Sequence, residues 1–226
     1  MKFNVRKWFG LKSLNENGSK KLNKHKKENV MKVWHIDSSA RNEQSHSKRI
    51  TQQFIDNLSQ KTSVESDSLN VGAGLPFLTD TMVGSYFTPD EQRTEEQKSA
   101  ITVSNDIVNS AKEADVWVIG VPIYNFSMPA SFKAFIDLLC RSKETFTYTE
   151  TGPVGLLDNK QVFVVVTSGG TELGSEVDFL TPWLKHCLSF IGIQNVSFVH
   201  ADQYNPEKDE AITQQIEEMT NSLVAD

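Results

Sequence analysis

The sequence has no apolar run long enough to cross a bilayer, so it offers no transmembrane span. It holds only two cysteines, Cys140 and Cys187, far apart and without paired spacing. Both fall in apolar helical patterns, which points to reduced, buried thiols in a cytoplasmic setting rather than to a disulfide or a metal site. The five histidines (His25, His35, His46, His186 and His200) show no metal-ligand spacing. Asp37 is the only carboxylate at its strand end, which argues against magnesium-dependent phosphotransfer. There is no Gly-x-Ser-x-Gly elbow and hence no serine-hydrolase signature. Gly72-Ala73-Gly74 lacks the third glycine of a dinucleotide fingerprint. Gly169 to Ser175 has the glycine spacing of a phosphate loop, but Ser175-Glu176 stands where Lys-Ser/Thr is required. No apolar core or small-residue cleavage site follows the first charges, so a secretory signal is absent too.

What is present is unevenly charged. Residues 1–29 carry nine Lys/Arg against Glu16 and Glu28, a net +7, and removing that from the total of −6 leaves −13 for residues 30–226. A body this acidic is not expected to bind nucleic acid. The leader, rich in Lys, Asn and Ser, reads as a solvated, disordered segment. Phe3, Val5, Trp8, Phe9, Leu11 and Leu14 leave two alternatives open, a weak amphipathic helix at a membrane surface and a docking arm. Membrane contact is not the expected role, and the domain is taken as residues 30–226.

From Met31 onward, apolar strand runs alternate with helical patterns. Strands are expected at 32–37, 64–69, 115–122, 160–167 and 195–200, and the third and fourth read as buried on both faces because they do not alternate. Helices are expected after the first strand (through Ile50, Phe54, Ile55 and Leu58) and over 90–114, 131–141, 179–191 and 206–223. Residues 71–88 read as a long aromatic loop. Residues 144–154 alternate and turn at Gly152-Pro153, a short β excursion. The pattern predicts an α/β, flavodoxin-like, doubly wound five-stranded parallel sheet of order 2-1-3-4-5 with helices on both faces.

In such sheets ligands lie beyond the carboxyl ends of the strands. The first loop carries Ser39, Ser45, His46 and Ser47 before a helix start, where unpaired N–H groups and the helix dipole favour an anion. Hydroxyls there suit a phosphate, although plain N-capping by Ser45 or Ser47 explains part of the pattern. The third loop, Ile123-Tyr124-Asn125-Phe126, offers aromatic walls and an amide to a planar, partly polar ligand, or is an ordinary strand-to-helix connection. The fourth, Ser168-Gly169-Gly170-Thr171, lets backbone approach a ligand closely.

Taken together, the serine loop, Pro122-Ile123-Tyr124-Asn125-Phe126, Phe146-Thr147-Tyr148-Thr149-Glu150-Thr151-Gly152-Pro153, Thr167-Ser168-Gly169-Gly170 and Phe190-Ile191-Gly192-Ile193 resemble the FMN-dependent NADH-azoreductases, flavoenzymes that also reduce quinones. The resemblance implies that Ser39 and Ser45–Ser47 hold the FMN phosphate. It gives Ile123 to Phe126 the isoalloxazine ring and Ser168 to Thr171 its far edge. It also implies a homodimer with flavin sites at the subunit interface and Tyr148 lining the pocket, reaching across from the partner. NADH would reduce the flavin and a quinone or azo compound would reoxidise it, with no catalytic triad and no metal. Many relatives carry an Arg between the serine and the first glycine of the fourth loop, whereas here Ser168 and Gly169 are adjacent. Two other readings share the flavin site, a flavodoxin-type electron carrier and a non-catalytic flavin-binding sensor.

Overall fold

The computed structural model describes residues 30–225. The leader, and every expectation placed on it, lies outside these residues. The elements are β1 (Met31–Asp37), α1 (His46–Ser59), β2 (Val64–Asn70), α2 (Asp80–Phe87), α3 (Glu95–Ala100), α4 (Thr102–Glu113), β3 (Val116–Pro122), α5 (Ala130–Leu139), β4 (Phe146–Thr149), β5 (Gly152–Gly155), β6 (Gln161–Thr167), α6 (Thr181–Phe190), β7 (Asn195–Ala201) and α7 (Asp209–Ala225). Strands β2-β1-β3-β6-β7 form one parallel sheet, which is the expected order 2-1-3-4-5 once the β4–β5 hairpin is set apart.

Strand β3 is central and buried at every position, which is why its sequence shows no alternation. The pleat sends Trp34, Ile36, Trp117, Ile119, Val162 and Val164 to one face, against α4, α5 and α6. Val33, Val116, Val118, Phe163 and Val165 go to the other, against α1 and α7. Trp34 and Trp117 meet edge to face at 5.1 Å, a contact contributing about 0.5–1.5 kcal/mol beyond burial.

The structure departs from the sequence expectations in two places. Residues 71–88 are not all loop: α2 occupies Asp80–Phe87, started by Thr79, whose side chain accepts the Met82 N–H at 3.2 Å. The Arg141 guanidinium lies 4.4 Å above the Tyr86 ring and helps hold this helix down. The single helix expected over 90–114 is three pieces. A 3₁₀ turn at Asp90–Gln92 precedes a capping box in which Thr94 and Gln97 bond each other's backbone, and buried Ile101 then separates α3 from α4.

The β excursion is an antiparallel hairpin outside the main sheet, pairing Phe146 with Gly155 and Tyr148 with Pro153. It is clamped to the turn after α6, where Leu157 N–H bonds Ile191 C=O at 2.9 Å. Gly155 lies so close to Gly192 that a Cβ there would fall 2.0 Å from the Gly192 nitrogen. Both cysteines are free and half-buried. Burial, with the neighbouring Cys187 thiol and Asp137, pushes the Cys140 thiol up to about 12, so it is not a nucleophile at neutral pH. Among the described residues no helix is long and apolar enough to cross a membrane.

Candidate functional site

Three loops, the first, third and fourth, after β1, β3 and β6, leave the carboxyl edge of the sheet and are bonded to one another or to each other's strands. The serine loop is fixed to β3 because Ser38 donates to Gly120 C=O through its N–H (3.0 Å) and its hydroxyl (2.8 Å). Ser39, 3% exposed, accepts the Arg41 N–H at 3.2 Å and stands 3.4 Å from the Tyr124 hydroxyl, joining the first loop to the third. Ser45 is the N-cap of α1, accepting the Lys48 N–H at 3.3 Å, with the Ser47 hydroxyl 3.2 Å away. Capping and a cluster of hydroxyls at the helix start therefore coexist. The His46 ring stacks on Tyr204 at 4.0 Å. Tyr204 accepts from Arg49 at 2.9 Å and donates to Asp209 at 3.1 Å, so the His46 side chain is taken up by packing at the rim.

Helix α1 sits directly on the sheet. A Cβ at Gly120 would come within 3.1 Å of both the Asp37 carboxylate and the Thr51 methyl, and 3.5 Å from Ser47 Cβ. Beneath the helix start, His35 Nε2 is 2.8 Å from Thr51 Oγ1 and 3.5 Å from Asp37 Oδ1. This buried polar group escaped sequence reading, because the partner of His35 lies 16 residues along the chain, on another element.

In the third loop, Ile123 N–H bonds Thr167 C=O at 2.7 Å and ties the turn to the fourth strand. Tyr124 and Ser127 exchange backbone bonds of 2.8 and 3.1 Å around Asn125 (φ 50°) and Phe126 (φ 70°). Positive φ at both central residues is the arrangement of a tight primed turn, tolerable for Asn and strained for Phe. Its effect is to hold the Phe126 ring out from the body, 57% exposed.

The fourth loop is knotted at Ser168, whose hydroxyl donates to Thr171 C=O and accepts the Gln203 N–H at 2.9 Å. Gln203 also donates to Gly170 C=O at 3.1 Å. Among the described residues, chain neighbours aside, no atom lies within 4 Å of where a Cβ of Gly169 or Gly170 would sit. Packing within the chain does not demand glycine at either position. Both glycines are exposed, so the pair leaves the rim of this loop open.

Beyond it, Asp178 is 4% exposed, and its carboxylate accepts the N–H groups of Gly174 (2.9 Å), Leu180 (3.1 Å) and Thr181 (2.9 Å). Burial opposes its ionisation, yet these bonds outweigh it and hold the carboxyl below the usual carboxylate range. The Phe179 N–H reaches back to Phe126 C=O at 3.3 Å. Sequence reading missed Asp178. The only signal was an acidic residue three positions before a helix start, which is common.

The loops thus bring together Ser39, Ser45, Ser47, Ile123, Tyr124, Asn125, Phe126, Ser168, Gly169, Gly170 and Thr171 along one edge. Tyr148 stands apart on the hairpin, 70% exposed, its ring edge-on to Phe146, with no bond or ring contact to these loops. Among the described residues no group of His, Cys, Asp or Glu has the arrangement of a metal site.

Comparison with known proteins gives a family, two relatives and a solved structure. A family described as having a flavodoxin-like fold matches residues 31–223. An FMN-dependent NADH:quinone oxidoreductase of Hahella chejuensis is 45% identical over 175 residues, covering 77% of this chain and 86% of that protein. A second, from a Jannaschia species, is 42% identical over 179 residues, covering 79% and 92%. Among solved structures, an FMN-dependent NADH-azoreductase of Bacillus anthracis in complex with FMN superimposes with a TM-score of 0.77 at 25% identity, covering 86% of this chain and 99% of that one.

Proposed function

Because the chain belongs to the flavodoxin-like family, among the FMN-dependent NADH:quinone oxidoreductases and azoreductases, we propose that it carries two electrons from NADH, through FMN, to quinones and azo compounds. The observation that carries this reading is the joining of the serine, Tyr-Asn-Phe and Ser-Gly-Gly loops at one sheet edge, with hydroxyls at a helix start and an open glycine pair.

Ser39, Ser45 and Ser47, with the first N–H groups of α1, are the donors for the phosphate. The backbone of Ile123 to Phe126 and the Asn125 amide would hold the ring system, where their fixed dipoles would favour a developing negative charge. Gly169 and Gly170 give the far edge room, and Ser168 and Thr171 hold that loop in shape. The bound flavin supplies the redox chemistry, accepting two electrons from one substrate and passing them to the next. The protein needs no separate nucleotide-binding domain, since donor and acceptor take turns at one exposed face. Exposed Tyr148 completes the pocket of a partner subunit, which makes the working form a homodimer, and the half-buried free thiols fit a cytoplasmic setting.

The test is to mix purified protein with FMN and then, without air, with NADH. Visible absorbance should appear with FMN and bleach with NADH, and a quinone should restore it. A protein that gains no absorbance with FMN ends the reading. The acidic body also suits docking of an electron carrier to a basic partner protein. NADH-driven quinone turnover with no added protein separates the two.

A further inference from the structure

We infer that Phe179, together with Phe126, forms an aromatic wall that selects acceptors with two or more planar rings. This rests on the oxidoreductase reading and adds the substrate class that the pocket prefers. In the single chain both rings are exposed, Phe126 at 57% and Phe179 at 58%, as is Val177, two residues before Phe179, at 45%. Neither is loose. Phe126 is held outward by a turn with two consecutive positive φ values, and Phe179 is bonded to it through N–H to C=O at 3.3 Å.

The segment carrying Val177 and Phe179 is pinned from below by the buried Asp178 carboxylate, with its three backbone N–H partners. Apolar rings fixed in water by strained and hydrogen-bonded backbone are a cost to the free protein. Their place explains the cost: Phe126 belongs to the turn that would meet the ring system of the cofactor, and Phe179 is bonded to that turn. The molecule that must lie there and that offers a large apolar π-face is the acceptor, because a nicotinamide ring is small, bears a polar carboxamide and is anchored by its phosphates. Offset or edge-to-face contact with two phenyl rings favours a fused or linked aromatic acceptor over a single ring, simply through the extra face covered. Phe179 is therefore a specificity residue, Phe126 its partner, and Asp178 a positioning residue acting through both.

The experiment compares kcat/KM for menadione, with two fused rings, and 1,4-benzoquinone, with one, in the FMN-loaded dimer. Removing one aromatic face should lower the two-ring to one-ring preference by about ten-fold in Phe179→Ala, from lost burial and ring contact. Phe179→Tyr should restore most of it, and Phe179→Leu should fall between. D178N should lower the same preference, and through the KM for menadione more than through kcat. A preference within two-fold of the parent's in Phe179→Ala overturns the inference, as does Phe179→Leu matching Phe179→Tyr. A shift of Phe179→Ala from dimer to monomer by light scattering also overturns it, since the ring would then be a subunit contact. Failure of the parent protein to take up FMN is a different result and overturns the functional reading instead.

Discussion

Gly155→Ala tests whether the hairpin is held by backbone contact rather than by its side chains. The added Cβ would lie 2.0 Å from the Gly192 nitrogen, 2.2 Å from the Ile191 carbonyl carbon and 2.4 Å from the Gly192 Cα, all main-chain atoms that no rotamer change can move. Ordinary carbon contacts need about 3.5 Å, so the strand must withdraw by roughly 1.5 Å. That shift breaks or weakens the 2.9 Å bond from Leu157 N–H to Ile191 C=O, a loss of about 1 kcal/mol. Residual overpacking adds about 1–3 kcal/mol, for a total near 2–4 kcal/mol. In a domain of this size each kcal/mol lowers Tm by about 2–4 °C, so the melt should fall by roughly 5–15 °C. Gly152→Ala, at the other end of the same strand, is the control. Its φ of +121° is unfavourable for alanine, but among the described residues no atom beyond its chain neighbours lies within 4 Å, so the hairpin stays in place and only the local backbone penalty of about 1–3 kcal/mol applies. Melts followed by circular dichroism, paired with the KM for a quinone, give the readout. A Gly155→Ala melt within 2 °C of the parent, with an unchanged KM, would show that the hairpin is not clamped as described.

Gly170→Ala should leave Tm within about 1 °C, because open space meets the new methyl, while weakening FMN at least ten-fold by fluorescence titration; equal affinity would remove the glycine pair from the site. Ser45→Ala combined with Ser47→Ala should lose about 1 kcal/mol of stability from the missing cap and should weaken FMN far more than riboflavin, which lacks the phosphate. Equal loss for the two ligands by calorimetry would place the phosphate elsewhere. Asp178 titrates in the folded protein below its unfolded value of about 3.9. Its stabilisation is therefore complete above that value and is lost as pH falls through the lower folded one. Urea titrations should show a constant gap between the parent protein and D178N from pH 8 to pH 5, narrowing below about pH 4.

The sheet was legible because burial on both faces removes alternation, so β3 and β6 announce themselves as apolar runs, and their spacing by helices dictates parallel pairing. The three loops were legible as well, since each strand ends in residues whose chemistry is unusual for a plain connection. Helix α2 was not. It spans eight residues and contains Gly84, Tyr86 and Phe87, and it owes its place to contacts such as Arg141 over Tyr86, 55 positions away in the chain. Ile101 reads as one more apolar residue in a helical period, yet it ends one helix and begins the next. Asp178, the His35–Thr51–Asp37 group and the meeting of Gly155 with Gly192 share one reason for staying hidden. Each is defined by what lies opposite it, and a local pattern carries no record of that.

The seating of α1 against Gly120 divides the pocket into two mechanical regimes. At the serine end the binding atoms are part of the scaffold, because the Ser47 and Thr51 side chains of α1 rest on bare Gly120, where one added Cβ would already crowd Thr51 and Asp37 at 3.1 Å. At the Phe126 and Phe179 end, rings hang from a tight turn and a short segment that can change without disturbing the sheet. Substitutions of the Phe126 ring and of Val177 and Phe179 can therefore widen or narrow the range of molecules reduced while the prosthetic group stays in place. Substitutions near Ser47, Thr51 and Gly120 must cost foldedness and cofactor retention together.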